Sequence, residues 1–324
     1  MLEFLTDYGL FLAELLTFAV VVIAVTVAVI SAAKRGVHVD GLVVEHLNKR
    51  YDALADGVRR VVQGSEIFKQ AVKQRRKEQK RLAKKGSDRK RIFVLDFKGD
   101  IRASATASLR EEVSAILAAA KDDDQVLVRL ENAGGTVHEH GLAASQLVRI
   151  KTRGLRLLVS VDKVAASGGY LMACVADEIL AAPFAIIGSV GVIAQLPNFH
   201  RLLEDKGIDF EQITAGRYKR TLTLFGENTE EGREKLKQEL EDVHGLFKEQ
   251  IAEHRPAVDL ERVATGEHWY GIKALELALI DRIATSDDFL LDAGRSHDLY
   301  SVRYKRRRSL PERIMAGAES LLSR

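Results

Sequence analysis

Residues 163–170 read Lys-Val-Ala-Ala-Ser-Gly-Gly-Tyr; they follow the apolar run Leu155–Val161, and Lys219 comes 52 positions after Ser167. The apolar run reads as a strand that leads into the Ser-Gly-Gly turn. In α/β sheets, loops beyond the carboxyl ends of strands are where sites are held. A serine hydroxyl is a weak nucleophile until a neighbour takes its proton. A lysine amine does so near neutral pH only when it is withdrawn from water. Glycines let the main chain come close to a carbonyl, and their N–H groups can stabilise the negative charge that develops there. A second Gly-Gly, Gly134 and Gly135, follows the strand-like Val126–Leu130. Together these residues point to acyl transfer, above all peptide hydrolysis, by a Ser-Lys pair. The same letters also read as a helix start with Ser167 as N-cap, and Lys219, in Gly-Arg-Tyr-Lys-Arg, as a solvated loop cation.

Around this turn strands and helices alternate. Ile92–Phe97 reads as a strand, and Ser108–Lys121 as a helix with Ser108 and Glu111 placed as a capping box. Val126–Leu130 is the second strand, Leu142–Arg153 a helix and Leu155–Val161 the third strand. This order predicts a mostly parallel, buried sheet. Leu171–Leu196 is apolar but broken by Asp177, Glu178 and Pro183, which fits buried helix and strand pieces better than a membrane span. Thr229–Arg255 predicts a long amphipathic helix ending before Pro256, and Leu275–Ile280 reads as the close of the domain.

Five stretches, taken in order, resemble the signal peptide peptidase A family of serine peptidases, and within it the SohB branch. They are Glu-Asn-Ala-Gly-Gly-Thr-Val at 131–137, Ala-Ala-Ser-Gly-Gly-Tyr at 165–170, Gly-Ser-Val-Gly-Val at 188–192, Thr-Ala-Gly-Arg-Tyr-Lys-Arg at 214–220 and Thr-Gly-Glu-His-Trp-Tyr-Gly at 265–271. The resemblance implies a ClpP/crotonase-like α/β domain. It implies Ser167 as nucleophile, Lys219 as general base, and the N–H groups of Gly135 and Gly168 as oxyanion hole. It also implies a homo-oligomer acting on peptide or protein substrates. Ala133 departs from the proline common in the family before the first Gly-Gly. A crotonase-like acyl-thioester enzyme and a non-catalytic membrane scaffold are the alternative readings.

The chain of 324 residues is long enough for one sizeable domain with extensions, and its net charge of +3 gives no global argument for nucleic acid. Its single cysteine, Cys174, excludes an intramolecular disulfide and reads as a buried structural thiol. His138 and His140, beside the first Gly-Gly, read as surface-loop residues, with lining of the cleft as the alternative. No metal, nucleotide or organic cofactor is called for.

Residues 15–33 carry no charge, and the run extended back to Leu10 is long enough to span a bilayer. Residues 1–35 are therefore expected to form a permanent single-pass anchor in a bacterial inner membrane, with residues 10–33 in the bilayer. Residues 36–90 read as a charged helical connector, 91–300 as the peptidase domain and 301–324 as a basic tail. Between Lys69 and Arg91 stand twelve Lys or Arg against Glu78 and Asp88, which suits anionic lipid headgroups or a solvated stalk; the stretch lacks the interleaved aromatics of nucleic-acid binding. Lys34 and Arg35 would keep the C-terminal bulk in the cytoplasm, whereas the resemblance places it on the outer side.

Overall fold

The computed structural model describes residues 17–18, 41–64, 68–74, 77 and 89–305. The expected anchor, residues 10–33, lies outside the described residues except for Thr17 and Phe18. Among the described residues no helix is long and apolar enough to cross a membrane.

Val43–Lys305 forms one compact unit. Its strands are β1 (Leu42–His46), β2 (Arg91–Lys98), β3 (Gln125–Glu131), β4 (Arg156–Val161), β5 (Val164–Ala166), β6 (Glu178–Ala181), β7 (Ile186–Gly188), β8 (His268–Tyr270), β9 (Arg282–Ile283) and β10 (Asp298–Tyr304). The main sheet runs β1-β10-β2-β3-β4-β6-β9, and its pairs from β10 to β9 are all parallel. A second sheet, β5-β7-β8, stands at the carboxyl end of the first. The main helices are α1 (Leu47–Val62), α2 (Thr106–Ala119), α3 (Val137–Thr152), α4 (Gly168–Ala173), α5 (Glu230–His254) and α6 (Ser286–Ala293).

The expected α/β class with a mostly parallel sheet is what the chain adopts. Such a sheet is covered on both faces, so its strands are apolar throughout rather than alternating. Ile92 to Leu95 are all buried. Ile92 and Val94 join Leu127, Leu158, Leu180 and Leu299 in a core closed by Leu47 of α1 and Leu290 of α6.

Several expectations change. The compact unit starts near Val43 rather than at 91, because β1 joins the sheet and α1 seats Leu47 in the core. It ends at Lys305, because β10 pairs with β2 and carries Ser301 and Val302 into the buried interior, so the tail read from 301 begins as a strand. Leu275–Ile280 does not close the domain; β9, α6 and β10 follow it. The capping box at Ser108 does not form. The helix starts at Thr106, where a turn passes the Thr106 N–H to the Ala103 carbonyl and those of Ser108 and Leu109 to the Ala105 carbonyl. The long helix read over Thr229–Arg255 does form as α5, and Thr229 caps it, accepting the Gly232 N–H at 3.1 Å.

Glu112 of α2 is buried, and its carboxylate accepts the Tyr304 N–H at 2.7 Å, tying α2 to the end of β10. Burial pushes its pKa up from 4.5 to about 7, and the nearby Asp96 adds to the rise. The native state therefore holds a proton there that the unfolded chain has released, and stability falls as pH rises through that window. Glu112→Gln keeps the carbonyl acceptor without the charge. It is expected to raise stability by roughly 1–3 kcal/mol at pH 8, with the gain fading towards pH 4.5. Thermal melts at the two pH values check this.

Candidate active site

The carboxyl ends of β3 and β5 meet at one residue. Asn132 donates its N–H to the Val164 carbonyl at 2.9 Å, and its carbonyl accepts the Ala166 N–H at 3.0 Å. The two Gly-Gly loops that follow these strands are thereby laid against each other. Gly134 has φ +92°, and a Cβ there would stand 2.8 Å from both Ser167 Cβ and the Ala166 carbonyl oxygen and 2.9 Å from the Gly168 nitrogen. Only glycine meets both demands. Gly135 is pressed as closely on the other side, where a Cβ would fall 2.1 Å from the Ile101 carbonyl oxygen.

Ser167 joins β5 to α4 with φ +51° and ψ −121°, a region costly for a residue with a side chain. Its own N–H is held by the Gly188 carbonyl at 2.8 Å, and its carbonyl takes the Leu171 N–H at 2.9 Å. It occupies the N-cap position, but its hydroxyl makes no capping hydrogen bond. The helix-cap reading therefore does not account for the residue. The side chain is half-buried and faces a cleft of about 520 Å³.

Gly168, as the first residue of α4, has no intrahelical partner for its N–H. The Gly135 N–H has no backbone acceptor among the described residues. Gly135, Ser167 and Gly168 all line the same cleft. Its walls are mostly apolar, formed by Val137, Ala144 and Val148 of α3, Leu171 of α4, and Val243 and Phe247 of α5, with Gln250, Glu253 and His254 of α5 adding a polar side. Arg255 holds the end of α5 in place through a two-pronged pair with Asp281 at 2.8 Å for each contact.

Lys219 lies elsewhere. It is exposed in the turn 216–219, where its N–H meets the Gly216 carbonyl at 3.1 Å, and it is not part of the cleft lining. The turn is tied to the start of α5 by Arg217, which pairs with Glu231 at 2.8 Å and stacks over Tyr218. The structure thus brings Ser167, Gly135 and Gly168 together and leaves Lys219 apart within one chain.

Sequence reasoning missed Asn132, although it stands inside the quoted 131–137 stretch. It also misread His140, which is fully buried on α3 rather than placed in a surface loop, while His138 is exposed as expected. A helix-spacing reading that began at Val137 instead of Leu142 would have turned His140 inward. The α5 wall carried no signal tying it to the nucleophile. Cys174 is buried as read, and burial pushes its thiol up to about 12.

Residues 3–147 match Peptidase family S49 N-terminal, and residues 149–299 match Peptidase family S49. The chain belongs to peptidase family S49. It is 45% identical to a probable protease SohB of Haemophilus influenzae over 98% of this chain and 94% of that one. It is 55% identical to a probable protease SohB of Buchnera aphidicola subsp. Acyrthosiphon pisum over 73% of this chain and 70% of the relative. Among solved structures, a variant of the 1510-N membrane-bound stomatin-specific protease in complex with a substrate peptide overlaps 71% of this chain and 98% of its own. That match has TM-score 0.46 and 12% identity.

The glycine geometry gives a direct contrast. Gly134→Ala is expected to lower peptidase turnover at least tenfold, because the new Cβ must push Ser167 or Gly168 aside. Gly245→Ala, on α5 with nothing within 4 Å of the added carbon, is expected to keep turnover and to gain up to about 1 kcal/mol from helix propensity. Kinetics and melts of the two variants check both.

Proposed function

We infer that the chain is a serine endopeptidase in which Ser167 is the nucleophile, the N–H groups of Gly135 and Gly168 form the oxyanion hole, and Lys219 is the general base. The observation that carries this reading is Ser167 itself. A strained backbone presents its hydroxyl to an apolar cleft, free of the capping role the position would otherwise give it. Strain of this kind persists where the surrounding structure enforces it, and it clusters at reacting sites.

Ser167 Oγ attacks the substrate carbonyl carbon while its proton passes to Lys219 Nζ. The tetrahedral oxyanion is held by the two glycine N–H groups. The intermediate collapses to an acyl-enzyme, and the departing amine takes the proton from Lys219. Water, deprotonated by Lys219, then releases the acyl group. The apolar walls from α3, α4 and α5 favour an apolar side chain next to the cleaved bond. The domain has the ClpP/crotonase-like form, and residues 10–33 anchor it in the inner membrane near membrane-associated peptides or misfolded proteins.

Lys219 reaches Ser167 from a second copy of the chain. Residues 193–213 place Ile193, Leu196, Phe199, Leu202, Ile208 and Ile213 on the surface, with Ile213 95% exposed. So many exposed apolar side chains on one segment favour a contact surface. Covering it with a neighbouring copy would withdraw the 214–220 turn from water, which is the condition under which a lysine amine acts as a base.

Ser167→Ala and Lys219→Ala proteins are each expected to be inactive, and Lys219→Arg is not expected to restore turnover, since a guanidinium stays protonated. Co-assembly of the two alanine variants should recover partial peptidase activity. No recovery in a proven mixed oligomer would rule out a pair shared between chains.

A further inference from the structure

His140 is enclosed on α3, with no solvent exposure, and joins the two glycine loops from behind. Its Nε2 lies 3.2 Å from Asn132 Oδ1, and its Nδ1 lies 2.9 Å from the Thr136 carbonyl oxygen. Asn132 Oδ1 also accepts the Gly134 N–H at 2.9 Å, while Asn132 Nδ2 faces Met172 Sδ at 3.3 Å. Both oxygens can only accept, so the neutral ring donates to one of them, to Asn132 in its Nε2–H form, and the doubly protonated ring donates to both. On its other side the ring touches Gly168, where a Cβ would fall 2.5 Å from His140 Cγ.

One side chain therefore fixes both halves of the oxyanion hole. Through Asn132 it sets the turn that presents the Gly135 N–H, and by direct contact it sets the height of Gly168. A hydrogen-bond donor aimed at a developing charge is effective only over a few tenths of an ångström, and removing one such donor costs about 10²–10³ in turnover. Asn132 is also packed by Gly99, where a Cβ would stand 2.4 Å from its Cγ, so the amide has little freedom other than through its partners.

We propose that His140 is a positioning residue for the reaction, holding the Gly134–Gly135 loop and Gly168 in register through its hydrogen bond to Asn132. This rests on the reading of Gly135 and Gly168 as oxyanion donors. It assigns to His140 a role that acts on the transition state and not on substrate binding.

Two substitutions in the full-length protein separate the two ring contacts. His140→Gln places an amide donor near the position of Nε2 and keeps a bond to Asn132. His140→Asn reaches only the Thr136 carbonyl, one turn back on its own helix. With a fluorogenic peptide carrying an apolar residue before the cleaved bond, His140→Asn is expected to lose between about tenfold and a hundredfold in kcat with KM within about threefold. His140→Gln is expected to rescue kcat to within about threefold of wild type. Should His140→Asn not fold, Asn132→Ser deletes the acceptor with His140 in place and is expected to show the same loss in kcat. Equal kcat for His140→Asn and His140→Gln in an active enzyme, a loss confined to KM, or unchanged turnover in Asn132→Ser would overturn the role of His140 alone. A wild-type protein that neither turns over the peptide nor reacts at Ser167 would overturn the peptidase reading, and this inference with it.

Discussion

The site depends on the direct contact between the two Gly-Gly loops. Gly134 lies so close to Ser167 and Gly168 that a single added carbon would have to share their space. This closeness exists because β3 and β5 end side by side, bridged at Asn132 and Ala165. Parallel strands bring their carboxyl ends to one edge of a sheet, and the loops that leave that edge are where a fold of this class can assemble a site. The sheet's buried apolar strands thus have a chemical consequence. They fix where two short turns meet, and the turns fix where the Ser167 hydroxyl points.

The two halves of the proposed machinery are held very differently. Ser167 is pinned by backbone hydrogen bonds to Gly188 and from Leu171, and its loop is backed by the fully buried His140 and Asn132. That framework can sustain a backbone conformation costing on the order of 1–3 kcal/mol. Lys219 rests on an exposed turn, tied by the Arg217–Glu231 pair, and an exposed ion pair is worth little in water. Its segment has a small aromatic cluster of Phe199, Phe210 and Phe225, each still substantially exposed. This contrast between the firmly held Ser167 and the exposed, incompletely covered segment of Lys219 is what the proposed sharing of the pair between two chains would resolve.

Much of this was legible in the sequence where the signal was long or forced. The parallel sheet followed from apolar runs alternating with helical spacing, and α5 followed from its amphipathic pattern and the stop before Pro256. The turn at Ser167 followed from Ser-Gly-Gly after a strand. Short elements were lost. β5 and β7 have three residues each, too few for any periodicity to show. β1 and β10 were lost for another reason: one was absorbed into a charged stretch and the other into a basic tail, and only long-range pairing reveals them. His140 was misread because the helix was begun five residues late, which hid its inward face. That Lys219 stands apart from Ser167 within one chain was foreshadowed by Arg217 and Arg220 on either side of it, since nothing local could withdraw its amine from water.

The central claim is that this fold builds a reactive serine at position 167. The most direct measurement is fluorophosphonate labelling of the purified full-length protein, followed by mass-spectrometric mapping of the adduct. A single phosphonyl adduct on Ser167, formed by wild type and absent when the protein is first unfolded, is the predicted result. An adduct on another serine, or no adduct on an assembled and folded protein, would contradict the account.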